Sequence, residues 1–127
     1  FEHEPFERTL AKCQRYYHRH DATGAYARLG IATNLSTTAA EVYNYLPVAM
    51  REDPSLEDTG TLSNYAIYDS DDIITITSMV IEGGNHDNNQ LVIIDCSCSC
   101  GGLTDGGSSQ LLANNTAGAF IAFSSEL

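Results

Sequence analysis

His18 and His20 stand two apart in the run HRHD, with His3 and His86 elsewhere in the chain. Imidazole is a common metal ligand, and a spacing of two puts both rings on one face of a strand but not of a helix. Neither H-E-x-x-H nor C-x2-C accompanies them, so the run reads as the solvated end of a helix. Cys96, Cys98 and Cys100 alternate in CSCSC, while Cys13 lies far upstream. Structural zinc asks for C-x2-C pairs or Cys with His at set spacing. In an extended strand the three thiols share a face with Val92 and Ile94, opposite Leu91, Ile93, Asp95, Ser97 and Ser99. That face reads as core, since a free cysteine behaves as a small hydrophobe. Neighbours two apart on one strand face are poorly placed to form a disulfide with each other. No metal and no cofactor is expected.

The acidic runs YDSDD (Asp69, Asp71, Asp72) and EDPSLED (Glu52, Asp53, Glu57, Asp58) offer the oxygen ligands a calcium ion takes. Neither has the glycine and closing glutamate of an EF-hand loop, and both read as solvated turns. A nucleophile search finds no G-x-S-x-G, and no glycosidase pair stands out among so many carboxylates, so no enzyme is expected. Aromatic rings beside Asn and Asp loops suit a sugar: a ring face packs on C–H groups while amides and carboxylates read hydroxyls. His86, Asp87, Asn88 and Asn89 in GGNHDNN come first as ligand contacts, then Asp105, Ser108 and Ser109 in GGLTDGGSS. The competing reading of the tyrosines is core or subunit interface.

Composition bounds the partners. The 127 residues carry 6 Lys+Arg against 17 Asp+Glu, a formal net charge of −11. Such a chain does not seek a phosphate backbone or an anionic membrane surface. No apolar run approaches the ~20 residues of a membrane span. FEHEPFE at the start has no apolar h-region; because residue 1 is not Met, a fragment or processed product is expected.

The elements that must position these residues fall into two unequal parts of one domain, 1–127. Residues 1–20 read as a helical assembly segment. Pro5 suits a first helical position and Glu4 and Glu7 its positive end. Phe6, Leu10, Cys13 and Tyr17 are spaced 4, 3 and 4 apart, an apolar seam. Lys12, Arg15, His18 and Arg19 gather toward the other end. Arg15 is the first choice for a buried or interfacial ion pair with a carboxylate, and Arg51 the second. Residues 25–127 read as strands at 25–33, 40–50, 61–69, 73–82, 90–100, 110–115 and 117–127. Pro47 makes the second an edge strand, a bulged strand or one that begins at Val48. Short strands with Gly and Asn turns predict a single antiparallel β-sandwich, jelly-roll-like, after one short helix.

Three blocks carry a resemblance. FEHEPFERTLAKCQRYY resembles F-E-H-R-x-x-x-E-E-L-A-L-C-Q-R-Y-Y, the opening of a C-terminal module of bacteriophage tail fibres and related virion structural proteins. Phe1, Glu2, His3, Leu10, Ala11, Cys13, Gln14, Arg15, Tyr16 and Tyr17 match it. LPVAMREDPSL is similar to F-P-V-x-M-R-x-x-P-T-L at Pro47, Val48, Met50, Arg51, Pro54 and Leu56. AFIAFSSEL is similar to the closing F-x-A-E-L at Phe123, Glu126 and Leu127. Departures fall at Glu4, Lys12, Ser55 and Ser125. The resemblance implies a start cut at the junction with an upstream jelly roll, and a homotrimeric, non-enzymatic module on a virion or other surface appendage. The expectation is a distal fibre part that contacts a host-surface glycan; the alternative is a purely structural virion or filament subunit that trimerises or caps without a ligand.

Overall fold

The computed structural model describes residues 3–70, 72–82, 90–98 and 101–125, and about half of these lie in strands. The chain opens with α1 (Phe6–Gln14) and then runs through β1 (Tyr17–Asp21), β2 (Arg28–Asn34), β3 (Ala39–Tyr45), β4 (Ser55–Glu57), β5 (Tyr65–Asp69), β6 (Asp72–Ile81), β7 (Leu91–Cys98), β8 (Ser108–Ala113) and β9 (Phe120–Ser124). The fold is mainly β with one short N-terminal helix. A single 3-10 turn, Leu62–Asn64, precedes β5.

Six strands close a barrel in the order β2-β3-β7-β6-β5-β8, and three form a separate sheet, β1-β9-β4. Every pairing is antiparallel. The expected jelly-roll sandwich is thus replaced by a barrel and a small sheet. The cause is β8, which pairs with β2 on one side and β5 on the other and so leaves no barrel edge.

The barrel interior follows from period two. On β7, Val92, Ile94, Cys96 and Cys98 point inward, and on β3, Ala40, Val42 and Asn44 do. β6 breaks the alternation, with Ile74, Ile76 and then Met79 buried. Its register against β7 shifts between Ile76 and Ser78, so one extra residue turns the later side chains back into line. Gly30 sits at the corresponding irregularity of β2, and a Cβ there would meet Val42 Cγ1 at 2.6 Å. Fully buried Ile67, Ile94 and Leu111 each contribute about 1.5–3 kcal/mol of transfer free energy.

The three-stranded sheet shares this core. Its central strand β9 buries Ile121 and Phe123 in the same cluster as the barrel residues. Tyr65 joins the layers: its hydroxyl donates to the Phe120 carbonyl and accepts from the Thr59 amide at 3.0 Å.

The head of the chain departs from expectation. The helix stops at Gln14, and residues 17–21 are a strand registered against β9, with His18 opposite Phe123 and His20 opposite Ile121. Pairing with a strand about a hundred residues away overrides the local helical pattern, as tertiary context routinely does. Tyr17 therefore leaves the helical seam. Elsewhere β2 begins at Arg28 rather than residue 25, β3 stops at Tyr45 before Pro47, and β4 lies within the expected turn-rich stretch 51–60. No helix of the described residues is long and apolar enough to cross a membrane.

Candidate functional site

Period two also decides what the barrel shows outside. Gln110 on β8 lies between Ile31 of β2 and Tyr68 of β5 in one cross-strand row. Ile31, Tyr68, Gln110, Ser70, Ser108 and Ser109 line a shallow groove of about 250 Å³. Arg28 borders it. Its guanidinium lies 4.8 Å from the Tyr68 ring centre, and its Nε donates to Gln110 Oε1. Its Nη1 donates to the Tyr26 carbonyl at 2.8 Å. Gln110 thereby keeps its amide NH2 as a donor. An aromatic ring, an aliphatic side chain, an amide and hydroxyls are the groups that read a neutral polyol surface.

The groove rests on a buried polar network. Asn34, Asp69 and Ser109 are all nearly inaccessible to solvent. Ser109 Oγ donates to Asn34 Oδ1 at 2.7 Å. Asn34 Nδ2 donates to Asp69 Oδ2 at 3.3 Å and to the Thr104 carbonyl at 2.9 Å. Asp69 Oδ2 accepts the Thr104 amide at 2.7 Å, and Oδ1 accepts the Ser70 hydroxyl at 3.1 Å. The Thr104 amide, ahead of the hydroxyl and side-chain amide donors, holds the Asp69 carboxyl below its ordinary range. Two further bonds tie Asn34 to the loop backbone, from its amide to the Gly107 carbonyl and from the Gly106 amide to its own carbonyl. The stretch 101–107 is thus held down from beneath.

Against this geometry the expected ligand contacts separate. His86, Asp87, Asn88 and Asn89 lie outside the described residues. Asp105 is an exposed turn residue. Ser108 and Ser109 belong to β8 and not to a loop. Ser108 is exposed, whereas Ser109 is buried with its hydroxyl committed to Asn34. Ile31, Tyr68, Gln110 and Arg28 were not among the expected contacts. Arg28 and Ile31 are exposed on β2 on either side of its irregularity, and Tyr68 and Gln110 are partly exposed, but only the strand order makes them neighbours.

The expected assembly residues also separate. Phe6 is 74% exposed and Leu10 41%, and no residue of α1 is buried. Cys13 is exposed, and Tyr17 is an exposed residue of β1. Arg15 is exposed and takes part through its carbonyl, which accepts the Arg51 amide at 2.9 Å and the Ser125 hydroxyl at 2.7 Å. The ion pair expected of its guanidinium is not formed with any described carboxylate. Arg51 pairs with Glu52 at 3.2 Å, and its Nη1 is buried without a partner.

Two more constellations complete the surface. His18 and His20 are not a solvated helix end: they share one half-buried face of β1, with ring centres 4.7 Å apart and edge to face. Burial lowers both imidazoles, and for His18 the neighbouring His20 adds to it. Around the barrel, Glu41 of β3 lies opposite Asp95 of β7, and Glu82 completes a group whose carboxylate oxygens lie within 4.8 Å of one another. Tyr43 donates its hydroxyl to Glu41 at 2.8 Å. Burial, then the Glu41 charge, pushes the Asp95 carboxyl upward.

Compared with protein-family models, with curated proteins and with solved structures, the chain finds no match.

Proposed function

We propose that the chain is a non-enzymatic virion module, the distal part of a homotrimeric phage tail fibre that contacts the host surface. The observation that carries this reading is α1. It is amphipathic, yet its apolar residues Phe6 and Leu10 stay exposed. A nine-residue helix is too short to be stable by propensity alone and depends on packing of its apolar face. Sister helices in an assembly supply that packing, and the trimer is what the sequence resemblance implies. Light scattering on the 127-residue chain at micromolar concentration is expected to report three subunits. A folded monomer at that concentration refutes the assembly role.

The groove between β2, β8 and β5 supports contact with a neutral or cationic glycan, since a net charge of −11 disfavours a polyanion. Tyr68→Ala and Gln110→Ala are expected to reduce signals on a glycan array and on host cells while the fold is kept. The purely structural reading is favoured by one feature, the Arg28 guanidinium beside the Tyr68 ring. Unchanged host binding by both variants, and by a chain with loops 83–90 and 101–107 replaced, selects it.

A further inference from the structure

Charge is distributed unevenly along this chain. Four of its six Lys+Arg residues, Arg8, Lys12, Arg15 and Arg19, lie within twelve residues of the head. Arg19 is engaged with Asp21 and the Phe120 ring, and on the body Arg28 is engaged with Gln110 and Arg51 with Glu52. Arg8, Lys12 and Arg15 are spaced 4 and 3 apart, and Phe6, Leu10 and Cys13 repeat the same spacing two residues earlier. On a helix these sets occupy opposite faces. Lys12 meets Glu4 in a pair that is largely solvent-exposed, of the kind that exchanges partners at little cost.

The barrel wall is the complement of that basic face. Glu41, Asp95 and Glu82 cluster on the outside of β3, β7 and the end of β6. Exposed Val80 pairs directly with Asp95, and exposed Ile31, opposite Tyr43, and Tyr45 lie farther along the same wall. Crowded carboxylates of one sign favour an approaching cation, and the arginine and lysine stems cover apolar surface while their heads reach the acids. Burial first, and then the neighbouring Glu41 charge, pushes the Asp95 carboxyl upward.

We infer that the basic face of α1 from one copy docks on the Glu41–Asp95–Glu82 wall of a second copy. The contact is heterologous, head of one copy to wall of the next, and such contacts close into a ring where the rotation permits. It leaves the Phe6–Leu10–Cys13 face free to meet sister helices, so each side of α1 acquires a different partner. This rests on the trimer reading above and adds to it the surface that receives the helix.

The test follows the mass of the full 127-residue chain by sedimentation and light scattering, from about 50 mM to about 500 mM NaCl, a range that shortens the screening length roughly threefold. Self-association is expected to weaken with salt. Arg8→Glu with Lys12→Glu, and separately Glu41→Lys with Asp95→Lys, are each expected to weaken it at least about tenfold. Combining the four reversals in one chain is expected to restore it, which no folding defect would do; circular dichroism confirms the fold in each case. If the reversals leave the assembly intact while Phe6→Ser with Leu10→Ser dissolves it, the seam stands and the docking is wrong. A wild-type chain that is monomeric at every salt concentration removes both. Calcium binding by the wild type that is lost in Glu41→Lys with Asp95→Lys, without any change in mass, makes the wall a cation site and overturns the docking.

Discussion

The hydroxyl of Ser125 donates to the carbonyl of Arg15 at 2.7 Å, across 110 residues of sequence. The Arg51 amide donates to the same oxygen, and the Ser125 amide bonds to the Tyr16 carbonyl. Three segments far apart in the chain therefore meet where α1 hands over to β1. The last turn of a helix leaves carbonyls without partners inside the helix, and here one of them is satisfied by tertiary donors. Ser125 is itself buried. Ser125→Ala is expected to cost about 1 kcal/mol, seen as a lower midpoint in thermal or urea unfolding. Arg15→Ala keeps the carbonyl and removes only an exposed guanidinium, so it is expected to stay within about 0.5 kcal/mol of the parent. A larger cost for Arg15→Ala than for Ser125→Ala shows that the side chain, not the backbone, makes the tie.

Asn34→Ala removes the acceptor of the buried Ser109 hydroxyl and one donor to the Asp69 carboxylate, which keeps Thr104 and Ser70. The expected loss is about 2 kcal/mol, with increased proteolytic cutting in 101–107 because that loop loses the side-chain bond to the Thr104 carbonyl. Equal stability of parent and variant in a urea titration argues against the network.

Asp69 gives the acid limb a defined sign. Its folded carboxyl lies below the ordinary value of 3.8, held there chiefly by the Thr104 amide. The unfolded chain therefore binds the proton first, and the stabilisation is complete above about 3.8. It is lost as pH falls through the lower folded value. Asp69→Asn is expected to flatten the pH dependence of unfolding below about pH 4 relative to the parent. An unchanged acid limb assigns it to other carboxylates.

His18 and His20 act at milder pH. Both folded imidazoles sit below the ordinary 6.5, burial being the first cause in each. Stability from keeping them neutral is full above about 6.5 and falls as pH drops below it toward the folded values. His20→Gln is expected to reduce the slope of unfolding free energy between about pH 7 and pH 5. A slope that survives in both His18→Gln and His20→Gln places the titrating group elsewhere.

The thiols divide by exposure. Cys13 is exposed on α1, whereas Cys96 is buried and its thiol is pushed up to about 12, mainly by burial. Because the thiolate is the reactive form, alkylation of the native protein followed by peptide mapping is expected to mark Cys13 well before Cys96 and Cys98. Cys98→Ala is expected to cost on the order of 1 kcal/mol, for loss of a small buried side chain. Prompt modification of Cys96 contradicts the inward face of β7.

What could be read in advance follows from the range of each signal. The inward face of β7 depends on alternation alone, and its buried residues follow it; β5 is buried at four of its five positions and shows no such alternation. HRHD carries no such mark. Its two histidines fit a strand face, but neighbouring Tyr16, Arg15 and Lys12 extend a helical pattern, and the partner that decides the matter is β9. Ser109 looked like loop because glycines precede it. Its burial comes from Asn34, 75 positions away. The groove and the carboxylate wall were illegible for the same reason: each needs the order of strands around the barrel, set by β8 joining β2 to β5.

The pairing of β1 with β9 also has a kinetic meaning. Tyr17 is registered against Ser124 and Asp21 against Phe120, so each contact closes a loop of about a hundred residues. Such a contact gains nothing until the intervening chain is already compact. The barrel hairpins, β2 with β3 and β5 with β6, join near neighbours in sequence and have no such wait. The small sheet is thus expected to lock late, together with the long-range β2–β8 pairing that closes the barrel. It also carries an edge strand, β1, between the unburied helix and the rest of the molecule. Amide protons there are expected to exchange through shallower local openings than those of β3 and β7. The head of the chain is consequently held by the longest-range closures among the paired strands.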